Sequence, residues 1–87
     1  MQRNLHTYYE HAPMGGIRAH IINLRGDEFL ALIAALDDRD HIVRSQKAER
    51  ADMVDAGLVE RLDMLARHRV QLQEINDRIK HIKQLGA

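Results

Sequence analysis

An 87-residue chain with 45% hydrophobic residues can form one core but buries only a modest share of its surface, so a single, self-associating domain is expected. Its 13 basic and 13 acidic side chains cancel, which excludes a strong overall attraction to phosphate polymers. The lack of cysteine excludes disulfides and thiolate chemistry and fits a reducing compartment.

Only Tyr8, Tyr9 and Phe29 are aromatic, so the core must come from Leu, Ile, Val, Met and Ala, which favours helix packed on helix. The opening MQRNLHTYYEH lacks the apolar centre of a signal peptide, and no apolar run approaches the length of a membrane span. A soluble, cytoplasmic protein outside the membrane is expected.

Residues 1–26 differ in texture from the rest, holding the only proline, both tyrosines and three of the six histidines. Thr7-Tyr8-Tyr9 and Ile17–Ile22 are rich in β-branched and aromatic residues, and Ala12-Pro13-Met14-Gly15-Gly16 between them carries turn chemistry. A β-hairpin is the simplest reading. Ile21 and Ile22 are adjacent and break the alternation, so a loop followed by a short helix over Ile17–Leu24 is the alternative.

The first long helix is expected over residues 27–56, with Asp27 as N-cap and Phe29, Leu32, Ile33 and Leu36 as its apolar stripe, its pattern running to about Val54 unless Asp37, Asp38 and Asp40 mark an earlier end. Asp55 and Gly57 suit a tight reversal. The second helix is expected over residues 58–85. Leu58, Leu65, Leu72 and Ile79 recur every seven residues, and Leu72, Ile75, Ile79 and Ile82 continue the spacing of a packed seam.

The fold class is therefore α+β and mainly α, an N-terminal β-hairpin followed by a long antiparallel helical hairpin. With the tip at Asp55–Gly57, Leu36 is expected to face Ile75 and Val43 to face His68. An acidic belt of Asp37, Asp38 and Asp40 would then meet Arg67, His68 and Arg69. Two helices cannot bury every apolar side chain, so two copies are expected to form a four-helix bundle through Leu58, Leu62, Leu65, Leu72 and Ile79.

Catalysis is not expected. The chain has one serine, Ser45, one threonine, Thr7, and no glycine-rich phosphate loop. Asp37 with His41 and Asp77 with His81 stand four apart, and Asp38 with His41 three apart, but these pairs are read as solvated helix faces, with no metal and no cofactor.

Tyr8, Tyr9 and His11 form a candidate protein-contact group, since adjacent strand residues point to opposite sides and one tyrosine would face outward. Arg44, Lys47 and Arg50 near the tip are the second candidate. The resulting expectation is a small non-enzymatic protein-binding module, an adaptor or inhibitor of the kind phages and mobile elements also make, acting as a homodimer. The alternatives are a nucleic-acid-binding regulator using the tip cluster with Arg61, or Arg78, Lys80 and Lys83, and sequestration of a small ligand at the dimer interface. Interleaved Glu49, Asp52, Glu60 and Asp77 disfavour nucleic acid.

Overall fold

The computed structural model describes residues 2–87. Strands β1 (Asn4–His11) and β2 (Ile17–Leu24) pair antiparallel, and helices α1 (Gly26–Asp52) and α2 (Leu58–Leu85) form a helical hairpin. The whole measures 52 × 24 × 16 Å. The adjacent isoleucines do not prevent the strand, because Ile22 faces the helices and Ile21 faces away.

Pairing is regular over eight residues, from Asn4 opposite Leu24 to His11 opposite Ile17. The connection opens with a type I turn, Pro13 fixing its first central residue, closed by the Gly15 N–H donating to the Ala12 carbonyl at 3.0 Å. Gly15 and Gly16 then take φ of 92° and 79°, which side chains with a Cβ seldom adopt, and bring Ala12 back to bond Gly16.

The N-cap of α1 is Arg25, two residues before the expected Asp27. The cap works from inside the helix: Glu28, at the third helical position, accepts a 2.8 Å bond from the Arg25 backbone N–H and two 3.1 Å bonds from the Arg3 guanidinium. Asp27 instead pairs with the Arg25 side chain. The same device opens α2, where Glu60 accepts from the Gly57 N–H at 2.8 Å.

α1 ends at Asp52, with Met53 bonding back to Glu49 and Ala56 to Met53. Acidic Asp52 and Asp55 at the negative end of the helix dipole oppose further extension. The helices consequently pair in a different register from the expected one. Asp38 approaches Arg78 at 3.9 Å, Arg39 bonds Asn76 at 3.4 Å, and His68 meets Glu49 at 3.2 Å, so the belt of Asp37, Asp38 and Asp40 against Arg67, His68 and Arg69 does not form. Ile42, not Leu36, shares a groove with Ile75. The first turns of α2 run past the end of α1.

The core draws on all four elements: Tyr8, Ile22 and Leu24 from the hairpin, Leu32, Ala35 and Leu36 from α1, and Ile75, Ile79 and Ile82 from α2. Toward the tip the buried residues of α2 are Met64 and His68, while Leu65 and Leu72 are half-buried and Leu58 and Leu62 are exposed. The segment Arg44–Asp52 of α1 offers only Ala48 and Ala51 as apolar residues, and both are exposed. At this level the buried polar His68 reaches Glu49 of α1 through Nε2 at 3.2 Å.

Candidate interaction surface

The alternation of the strands divides the hairpin into two unlike faces. Toward the helices point His6, Tyr8, Glu10, His20, Ile22 and Leu24. Tyr8 is buried, stacked on His20 at 5.1 Å between ring centres, with the Lys83 ammonium 5.5 Å from its own ring. His6 stacks on Phe29 at 4.3 Å and donates from Nε2 to the Leu24 carbonyl at 3.1 Å, which makes Nε2 the protonated nitrogen. Lys83 donates to Glu10 Oε1 at 2.6 Å, tying the end of α2 to β1.

The opposite face carries Leu5, Thr7, Tyr9 and His11 from β1 and Ile17, Ala19, Ile21 and Asn23 from β2. Not one of these eight is Lys, Arg, Asp or Glu. Leu5, Tyr9, Ile17 and Ile21 are 74%, 65%, 67% and 71% exposed, a contiguous apolar patch on a chain whose composition is 30% charged. At the turn end the patch runs into a groove of about 440 Å³, where Tyr9, His11 and Ile17 meet Leu36, Arg39, Asp40 and Val43 of α1.

Both outer strand edges lack a backbone partner among the described residues, since the sheet has two strands. Neither strand contains a lysine, a proline or a bulge, and Glu10 and Arg18 are the charged residues they carry against edge pairing.

Of the sequence-derived candidates, Tyr9 and His11 lie on this face and Tyr8 does not, being taken up by the core. Leu5, Ile17 and Ile21 belong to the same face and were missed, although the alternation that places Tyr9 outward also places them. Arg44, Lys47 and Arg50 are exposed on α1 beyond Val43, the last α1 residue of that groove. Arg50 also lines an α1–α2 groove with Leu65, Arg69 and Leu72. Arg61 is engaged with the Val54 carbonyl. Asp37, Asp38, His41, Asp77 and His81 are all exposed, and no three potential metal ligands converge among the described residues. Among those residues no helix is long and apolar enough to cross a membrane.

Three carboxylates sit below their ordinary range. For Glu10, partial burial pushes the carboxyl up, but the Lys83 hydrogen bond and the charges of Lys83, Arg39 and His20 together outweigh it. Asp27 is lowered by its bond from Arg25, and Glu28 by the Arg3 guanidinium and the Arg25 N–H. A depressed carboxylate contributes stability that is present above its unfolded pKa and lost as pH falls through the folded one. The urea midpoint is therefore expected to fall as pH drops below the ordinary glutamate value of 4.5, more shallowly in Glu10→Gln.

The chain matches no protein-family model, no curated protein and no solved structure.

Proposed function

We propose that this chain is a non-enzymatic protein-binding module, an adaptor or inhibitor working in the cytoplasm as a homodimer, with the outer side of its β-hairpin as the contact face for its partner. The observation that carries this reading is the uncharged apolar patch of Leu5, Tyr9, Ile17 and Ile21 on a strand pair with open edges. The partner that fits is a protein segment in extended conformation. Its backbone would hydrogen-bond one hairpin edge, and alternate apolar side chains would extend the ladder formed by Leu5 and Tyr9 or by Ile17 and Ile21. Tyr9 supplies the broad, rigid contact that dominates such faces.

The test is affinity purification of the tagged chain from its native host, comparing wild type with Ile21→Asp and with Leu30→Asp, a control at an exposed α1 position. A protein retained by wild type and Leu30→Asp but lost with Ile21→Asp is the expected result. Identical recovery with all three folded proteins would overturn the reading.

A further inference from the structure

Leu58, Leu62, Leu65 and Leu72 form a stripe along α2 that the described residues cover only in part. It lies beside the buried line of Met64, His68 and Ile75, half-buried at Leu65 and Leu72 and open at Leu58 and Leu62, which are 72% and 56% exposed. On the α1 side it is flanked by Gln46 and Arg50, and at the tip by Met53 and Val54. At its lower end the same seven-residue spacing reaches Ile79, which the chain's own core takes up. A seam with this period needs a helix of the same pitch opposite it. The helix that would supply one within the chain, Arg44–Asp52, is polar.

We infer that the occupant is a second copy of this chain, with α2 packed antiparallel on the α2 of its partner about a twofold axis at Leu65–Ala66, so that the distal halves of two helical hairpins complete a four-helix bundle. The inference rests on the dimeric part of the proposed function and gives it an interface.

Charge decides the direction. Below Leu72 the stripe turns into a groove lined by Asn76, Lys80 and Lys83. Parallel pairing would set Arg69 against Arg69 and Lys80 against Lys80. Antiparallel pairing carries Lys80 beyond the partner's tip, and brings Arg69 opposite Leu62 beside Arg61, whose guanidinium is engaged with the Val54 carbonyl, so that the Arg69 stem can cover the leucine. Ala66 at the axis admits close approach of the helices. Leu58 falls opposite Leu72, the open end of each stripe covering the half-buried end of the other.

The stripe from Leu58 to Leu72 is about 21 Å long at ~1.5 Å per residue. A contact of that length, widened by Val59, Met53 and Val54, is short for a stable interface, so the dimer is expected to dissociate in the micromolar range.

The cysteine-free chain makes the test direct. Single Leu58→Cys, Leu65→Cys and Leu72→Cys variants are oxidised mildly, alone and mixed in pairs. Only Leu65→Cys is expected to cross-link with itself, and Leu58→Cys only with Leu72→Cys. Leu62→Lys is expected to raise the dissociation constant about tenfold or more, read by light scattering, because it sets a second cation against the partner's Arg69. Self-cross-linking of all three alike would mean parallel packing. Dimers that survive Leu62→Lys and fall apart with Ile21→Asp would place the interface on the hairpin, and a monomer at high micromolar concentration would remove it; each of these overturns the inference. A partner lost with Ile21→Asp while the dimer persists leaves the two readings separately decided.

Discussion

Replacing Leu32 by alanine is expected to remove about 2–5 kcal/mol of folding stability, whereas the same change at Leu30, two residues away on the same helix, is expected to stay within about 0.5 kcal/mol. Leu32 has no exposed surface and belongs to the core that Leu24 and Tyr8 of the hairpin share with Ile75, Ile79 and Ile82 of α2, whereas Leu30 is 69% exposed. The lost methyl groups leave a cavity that the surrounding elements cannot close without separating the hairpin from the helices. For a small domain whose total stability is of order 5–15 kcal/mol, that is a large fraction, and urea unfolding followed by circular dichroism measures it. A cost for Leu32→Ala no larger than that for Leu30→Ala would mean that the hairpin is not packed on the helices in solution.

The same contrast explains what was legible before the structure. Phe29, Leu32, Ile33 and Leu36 recur at helical spacing because one face of α1 meets both the hairpin and α2, and both partners ask for the same stripe. The hairpin was equally readable, since a proline and two glycines between two β-branched runs leave the chain few other ways to turn. On α2 two stripes compete. Leu58, Leu65, Leu72 and Ile79 form the more regular one, yet burial follows Met64, His68, Ile75, Ile79 and Ile82, because α1 lies on that side. Periodicity identifies a stripe and says nothing of what covers it, and a histidine in the buried line looks like an interruption.

The register erred for a related reason. Where α1 stops depends on five residues, Met53–Gly57, in which acidic side chains, a capping glutamate and the Arg61 contact to the Val54 carbonyl all compete. A helix that ends earlier than expected shifts every pairing along its length. The ion pairs that tie the elements together were beyond reach, because Arg3 finds Glu28 and Lys83 finds Glu10 across separations of 25 and 73 residues. The outer hairpin face was half legible: alternation shows that one of Tyr8 and Tyr9 must face out, and the burial of Ile22 and Leu24 beside Tyr8 decides that it is Tyr9.

Gly86→Ala, at the residue that caps α2, is expected to destabilise the fold by about 1–3 kcal/mol. The reason is contact and not backbone conformation, since Gly86 has φ of −106°, open to any residue. A Cβ there would sit 2.7 Å from the Asn23 carbonyl oxygen, 2.7 Å from Ile22 Cγ1 and 3.0 Å from Leu24 Cδ2. One of these atoms is backbone, in the strand that carries the two most inward-facing residues of β2, and it cannot rotate away. The end of α2 must therefore lift off β2, loosening Lys83 from both Glu10 and Tyr8 and exposing Ile82. Gly26→Ala serves as the comparison: nothing lies within 4 Å of its Cβ position, and at the first position of α1 alanine suits the helix better than glycine. A lowered melting temperature for Gly86→Ala beside an unchanged or raised one for Gly26→Ala is the expected pair of results. Equal melting temperatures in both variants would show that the end of α2 does not rest on the hairpin.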